Sequence, residues 1–541
     1  MTAVPAAAPA NAVGMRHPLF SPEWFACADA LFAGLPVDEN TAVRVGLRIT
    51  DAPGGTGDAL SMLADLTTGG LRFRAGPAGE RPTLSFTLTH VDATTLLFGG
   101  QAERTRLFEY DGLRLEGAFL FVFFLDRLLT QDASGALAAL RTRTAGLSAG
   151  PQRAGAQAAR RPIDVPVDEA AAVRAAREVL PRTMHALDAE LGSTTPGAQL
   201  YVSHSPSAAD VSVAVGEARP GVPFARDSWP IWYCCSKAVG AVAVGRLWER
   251  GLVDPRQPVA AYLPWFEGGG REKITLCQLL MHTTPVPMAL DPLHGSFAAP
   301  VALRREQLRT MVIPADALPG ERINYAPWWA WFLLAEVVQA VAGRSYERFL
   351  AEEVLAPCAM TDTRVVLSPP EYREAADRLP LIHITGGGFP AQPTHWYATE
   401  AACTRPIPGL NMRGTMRDLG RFFTMLLAGG EGPGGRVLRP PTVAALTARH
   451  RVGLTDPFGN ADWGLGFRVE SRHLGEEYTA FSRYASLSSF GHYGLWTSTA
   501  FADPETGLVI ALHLNGKTLQ SEHQRRTLAI CDAVYEDLGL S

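Results

Sequence analysis

Apolar residues recur at helical spacing from Pro22 to Leu35, where Trp24, Phe25, Ala28, Leu31 and Phe32 form one stripe, and the pattern predicts an amphipathic helix. Alternation with a period of two continues in Val43–Ile49, Leu84–Leu88 and Leu113–Gly117, which predicts strands, and a very apolar segment then runs to Leu129. This first region therefore reads as α+β. Between Ser148 and Arg161 the patterned apolar residues give way to Gly, Ala, Gln and Arg without period, the signature of a linker. Beyond it, Gln199–Ser203 and Val211–Val215 flank a Ser/Pro/Ala/Asp turn and predict a hairpin. Ala238–Glu249 carries Val239, Val242, Ala243 and Leu247 at helical spacing, with Gly251 as the stop, and a second helix is expected over Trp329–Val341. Leu465–Val469, Ser498–Ala502 and Leu508–Leu514 predict strands, followed by a helix over Glu522–Leu538. Strands near both ends with helices between them suggest one sheet assembled around a helical insertion.

The chain has 541 residues, too many for one ordinary core. The expected division is a disordered tail over 1–16, an α+β domain over 17–145, a linker over 146–162 and a second domain over 163–541. Hydrophobic residues at 47% and charged residues at 19% are globular values, and a formal net charge of -5 offers no basic stripe for nucleic acid. The Ala/Pro-rich start, Met1–Val13, lacks the charged and apolar regions of a secretory signal. Phe119–Leu129 contains Asp126 and Arg127 and falls well short of the roughly 20 residues of a membrane span. Seven cysteines, at 27, 234, 235, 277, 358, 403 and 531, are scattered without metal-type spacing, which fits reduced thiols in the cytoplasm and gives no sign of a metal or organic cofactor.

Chemistry concentrates in Trp232-Tyr233-Cys234-Cys235-Ser236-Lys237. A nucleophile and a lysine at i and i+3 share one helix face, near enough for the amine to take or share the nucleophile's proton. The context makes the pair specific: Leu247, Glu249 and Gly251, then Val253-Asp254 and Tyr262-Leu263-Pro264, resemble the stretch downstream of S-x-x-K in class C β-lactamases and related esterases. Ile274-Thr275 through His282-Thr283-Thr284 resembles the same family's I-T-x-x-x-L-L-x-H-T-S segment, and Pro319-Gly320 through Tyr325-Ala326-Pro327 its Y-x-N block. Ala342–Tyr346, Met360–Thr363, Trp463-Gly464-Leu465-Gly466 and Asp503–Gly507 continue the match, and Gly491-His492-Tyr493-Gly494 stands where the family has K-T-G or H-x-G. Residues 165–541 thus resemble the β-lactamase-like superfamily that includes family VIII esterases and penicillin-binding proteins, whose fold is an antiparallel sheet flanked by helices with a helical subdomain. The first region, with its Ile49-Thr50-Asp51 strand end, Thr83–Leu88 strand and Phe108–Gly117 segment, resembles sterol-carrier-type lipid-binding domains. That resemblance implies an apolar tunnel, with Phe119, Phe121, Phe123, Phe124 and Leu125 as lining or simply as core.

The family resemblance assigns roles residue by residue. Cys234 is the acyl-accepting nucleophile, a thiol in the place of the family's serine hydroxyl, and Lys237 lowers its pKa or takes its proton. A free cysteine titrates near ~8.5 and a neighbouring ammonium moves it down. Tyr325 is the second proton shuttle, useful if held near Lys237, because an unperturbed phenol at about 10 is a poor base. His492 orients the substrate and the Lys–Tyr pair, and the N–H groups of Cys234 and Leu495 form an oxyanion hole. Tyr493, Gly494, Trp496, Trp396 and Trp328 are candidate substrate contacts; Trp396, Tyr397 and Trp496 suit a pocket rim, whereas Trp328, Trp329 and Trp331 read mainly as helix packing. Cys235 and Cys277 read as apolar filler and His282 as structural. Pro327 replaces the family's Asn, which argues against β-lactam hydrolysis.

These residues imply an acyl-transfer enzyme working through a cysteinyl thioester on an apolar acyl, ester or amide substrate, small and lipophilic or carrier-bound. The alternatives are an esterase or amidase on the same residues, and a non-catalytic ligand-binding protein on the same scaffold.

Overall fold

The computed structural model describes residues 17–18, 21–32, 44–50, 60–65, 72–75, 84–89, 143–145, 167–286, 301–313, 320–386, 389–394, 396–455, 461–518 and 520–541. They fall into two compact units, Met1–Arg161 and Pro162–Ser541. In the first, helix α1 (Pro22–Phe32) begins behind Ser21, whose hydroxyl accepts the Trp24 N–H at 3.2 Å. The expected stripe is buried at Trp24, Phe25 and Ala28. Strands β1 (Arg44–Thr50), β2 (Leu60–Asp65), β3 (Arg72–Ala75) and β4 (Leu84–Thr89) form a sheet in the order β3-β2-β1-β4, with β1 and β4 parallel. The expected tail, the Leu113–Gly117 strand, the apolar segment with Phe119 to Leu125 and the linker lie outside the described residues.

The second unit opens with helices α2 (Val167–Val179) and α3 (Pro181–Glu190), then strands β5 (Gly197–His204), β6 (Ala209–Arg219) and β7 (Val222–Pro223). Helices α4 (Ser236–Glu249), α5 (Leu276–Met281), α6 (Trp329–Ala342) and α7 (Met416–Leu427) come next. The chain then returns as β8 (Arg468–Val469), β9 (Phe490–Gly494), β10 (Ser498–Asp503), β11 (Leu508–Leu514) and helix α8 (Gln520–Asp537). One antiparallel sheet runs β8-β9-β10-β11-β5-β6-β7, closed where β11 pairs with β5 from Leu508↔His204 to Leu514↔Ala198. The sheet is thus built from both ends of the domain, as the hydrophobic pattern predicts.

Alternation along these strands divides the residues between two faces. Leu200, Val202, Val213, Phe501, Ile510 and Leu512 bury one face against Leu180, Met184 and Leu187 and against Ile530, Val534 and Tyr535 of α8. Helix α7 covers β5, β10 and β11 from the other side. Helix α4 packs on α6 there, and Gly240 permits the approach: a Cβ would fall 2.7 Å from the Tyr346 hydroxyl and 3.0 Å from the Trp331 ring. The strand expected over Leu465–Val469 is corrected to Arg468–Val469. Gly466 adopts a left-handed φ of 86° and its N–H turns to the Leu280 carbonyl, so extended pairing cannot begin before it.

Candidate active site

Cys234 lies in a single 3-10 turn, Tyr233–Cys235, that runs directly into α4. The turn is clamped on two sides. Trp232 donates its indole N–H to the Gly414 carbonyl at 2.8 Å and its backbone N–H to Met412 at 2.9 Å. Opposite, β9 presses so close that a Cβ on Gly494 would fall 2.2 Å from the Trp232 carbonyl oxygen, which fixes glycine there. Tyr233 has a φ of 47°, a left-handed conformation that costs a bulky residue on the order of 1–3 kcal/mol and persists only where the surroundings impose it. Its ring meets Tyr397 edge-on at 5.1 Å. The strain falls on the residue immediately before the candidate nucleophile.

Lys237, one turn further on, is fully buried. Its ammonium donates to the Gly409 carbonyl at 2.9 Å and lies 5.6 Å from the ring centres of both Tyr325 and Trp331. Burial, followed by the neighbouring Cys234, pushes the Tyr325 phenol well above its usual range. Tyr325 therefore stays protonated and can relay or donate a proton without ever standing as a free phenolate. Its ring rests on His282 at 4.2 Å between centres, tilted by 34°.

The two histidines are both neutral, and their hydrogen bonds set opposite tautomers. His492 Nδ1 lies 2.7 Å from the Tyr493 carbonyl and so carries the proton, leaving Nε2 as a bare acceptor; burial and the Lys237 charge lower its pKa to about 3. His282 Nδ1 instead accepts the Ala326 N–H at 3.2 Å, so Nε2 carries the proton, and burial followed by Lys237 holds its pKa well below the usual value. Neither Nε2 has a hydrogen-bond partner among the described residues. Trp463 joins the two, meeting His282 at 5.5 Å and His492 at 5.4 Å, both edge-on.

After Gly494 the chain turns through Leu495 and Trp496, with φ of 31° and 59°, and the turn is closed by the Thr497 N–H on the Gly494 carbonyl at 2.9 Å. The Leu495 side chain packs with Ile231 and Tyr233, which brings this turn beside the one that carries Cys234. Trp496 is 4% exposed, covered by the Lys517 ammonium 5.4 Å from its ring centre, so it stands behind the site and not on an open rim. Tyr493 is half-buried under Arg468, whose guanidinium lies 4.7 Å from its ring centre. Trp328 is buried at the start of α6, as helix packing requires. Trp396 opens the short turn Trp396–Ala398, with its side chain outside the described residues. Cys234, Lys237, Tyr325, His492 and the Leu495 turn are therefore gathered at one end of the sheet.

Several contributors carry no clear sequence signal. Gly409 supplies only a backbone oxygen to Lys237, and Trp463 acts through ring contacts that no spacing rule announces. His282 supports Tyr325 from below, a positioning role consistent with its reading as structural. Cys235 is buried and its thiol donates to the His492 carbonyl at 3.3 Å, tying the turn that carries Cys234 to β9. All seven cysteines are free, and no group of three His, Cys, Asp or Glu among the described residues is placed to hold a metal. No helix among the described residues is long and apolar enough to cross a membrane.

A cysteine in the turn that leads into a helix, a buried lysine on that helix's first turn and a tyrosine ring beside the lysine, all next to an antiparallel sheet, fit the β-lactamase-like class whose motifs the sequence resembles. The family model described as Beta-lactamase matches residues 140–534, and the chain belongs to that family. It is 28% identical over 319 residues to the esterase/beta-lactamase LipL of Mycobacterium tuberculosis, spanning 54% of this chain and 70% of that protein. Among solved structures, a penicillin-binding protein homolog from Caulobacter crescentus aligns with a TM-score of 0.54 at 23% identity, covering 66% of this chain and 98% of that one. EstCE1, described as a hydrolase with promiscuous acyltransferase activity, aligns with a TM-score of 0.55 at 19% identity, covering 67% of this chain and all of the other. Similarity at this level establishes the shared fold.

Proposed function

We propose that this protein is an acyl-transfer enzyme that works through a thioester on Cys234. The observation that carries the reading is the placement of the fully buried Lys237, one turn beyond Cys234, with its ammonium 5.6 Å from the Tyr325 ring centre. In the acylation step the sulfur attacks the carbonyl carbon of an ester or amide donor and the S–H proton is relayed through the Tyr325 hydroxyl, beside the Lys237 ammonium. A C–S bond forms, the donor's C–O or C–N bond breaks, and the same proton returns to the leaving group. The N–H groups of Cys234 and Leu495 receive the developing oxyanion. In the second step an amine or alcohol attacks the thioester, the C–S bond breaks and the acceptor's proton restores the thiol. An amine acceptor is favoured because thioesters react with amines more readily, relative to water, than oxygen esters do. The resemblance of residues 17–145 to lipid-binding domains supports an apolar acyl group.

Hydrolysis is the second reading, with water as the acceptor at the same residues, and LipL's description as an esterase supports it. Intact mass after incubation with p-nitrophenyl butyrate tests the thioester. Wild type should gain one butyryl group and Cys234→Ala none; equal labelling of the two proteins would remove the proposal. Product analysis with and without added amine then separates transfer from hydrolysis, since water as the sole acceptor sinks transfer.

A further inference from the structure

We infer that Arg526 is a positioning residue for the oxyanion-binding turn, acting through the Trp496 carbonyl to keep the Leu495 N–H beside the Cys234 sulfur. The inference rests on the thioester reading. Two consecutive non-glycine residues, Leu495 and Trp496, occupy left-handed backbone at this turn, and nothing in their own side chains favours that conformation. The ends of the turn are secured locally: the Thr497 N–H and hydroxyl both donate to the Gly494 carbonyl, and the Leu514 N–H donates to Thr497. The middle is secured from α8. Arg526 Nη2 donates to the Trp496 carbonyl at 2.9 Å and to Gly516 at 2.6 Å, while Nη1 donates to Thr194 at 2.9 Å.

Arg526 is fully buried, and no carboxylate among the described residues forms an ion pair with it; neighbouring Glu190 is instead held by Arg525 at 3.0 Å. A buried guanidinium is expensive to desolvate, and here three converging carbonyl oxygens compensate it. One of them belongs to the strained turn. A second cation addresses the same residue, because the Lys517 ammonium lies over the Trp496 ring. Both arrive from the chain beyond β11, so the last segment of the fold holds the turn from behind while Leu495 packs toward the site.

The test compares two reactions of the same sulfur in the full-length protein. Acylation by p-nitrophenyl butyrate develops an oxyanion, whereas alkylation by iodoacetamide does not. Arg526→Met should lower kcat for acylation by about 10–100-fold, with KM and the alkylation rate of Cys234 each within about twofold, and Arg526→Lys should recover part of the loss. An unchanged kcat, or alkylation that falls in step with acylation, overturns the role. If Arg526→Met does not fold, Lys517→Met supplies the reading, with an expected loss of about threefold confined to acylation. No loss in that variant counts equally against the inference. A wild-type protein that is alkylated at Cys234 but never acylated overturns the thioester reading, and this role with it, whereas an active wild type with unselective variants overturns this role alone.

Discussion

The two faces of the large sheet solve opposite problems. Against α2, α3 and α8 the buried cluster is aliphatic and aromatic, and most polar atoms beside it are matched among the described residues: the Tyr535 hydroxyl donates to Asp503 at 2.8 Å and Asp532 accepts from Ser482 and Arg483, with His523 Nε2 and Thr527 Oγ1 the exceptions on α8. On the side of α4 and α6 the protein buries Lys237, His282 and His492 and leaves several polar atoms without partners among the described residues. Ser236 Oγ and the indole N–H groups of Trp329, Trp331 and Trp463 are examples, besides both imidazole Nε2 atoms. Each such group costs about 1–3 kcal/mol of desolvation. The first face generates stability and the second consumes part of it, as expected where a pocket holds its polar groups ready for a ligand instead of satisfying them internally.

The comparison breaks first on a pair of substitutions. Tyr325→Phe removes only the hydroxyl of the ring that lies beside Lys237. It should lower the acylation rate by about 10²–10⁴-fold and leave the unfolding midpoint unchanged. Ile530→Ala, in the opposite core, should cost about 2–5 kcal/mol in urea unfolding, with the rate per folded molecule intact. If Tyr325→Phe destabilises as much as Ile530→Ala, the two faces are not specialised as described.

Acid sharpens the contrast. The folded pKa of His492 is lowered to about 3, against about 6.5 in the unfolded chain. Below about 6.5 the unfolded chain takes up a proton that the native site refuses, so stability is complete above that pH and is lost as pH falls toward 3. The slope is about 1.4 kcal/mol per pH unit for each such imidazole, or on the order of 2 kcal/mol between pH 6.5 and pH 5. His492→Asn should shrink the stability difference between those two pH values by that amount, measured by urea unfolding at each. An undiminished difference would mean that His492 is not held neutral by its surroundings.

The legible parts of this molecule share a property: they depend on short-range periodicity. The spacing of Cys234 and Lys237 fixes their common helix face, and the alternation in Ser498–Ala502 and Leu508–Leu514 matches β10 and β11. Tyr325 lies about 90 residues from Cys234, and no period connects them; only the motif resemblance placed it in the site. Backbone acceptors were invisible, since the Gly409 carbonyl under Lys237 and the Trp496 carbonyl under Arg526 have no residue signature. The strand expected from Leu465 failed because a glycine's left-handed conformation is compatible with a strand-like sequence and incompatible with a strand.

The boundary between the two kinds of region can be drawn within a single dipeptide. Cys234 and Cys235 are adjacent, yet Cys235 points to β9, where burial, and then the neighbouring Cys234, push its thiol well above the ordinary range. A thiol that does not ionise is a poor nucleophile, so Cys235 can serve only as a filler and a weak donor to the His492 carbonyl. Cys235→Ala should therefore lower stability by about 1 kcal/mol and leave the acylation rate within about twofold. Peptide mapping after brief iodoacetamide treatment should find the label on Cys234 and none on Cys235. Alkylation of Cys235 at a comparable rate, or loss of acylation in Cys235→Ala, would place both sulfurs in the site and erase the distinction between its nucleophile and its frame.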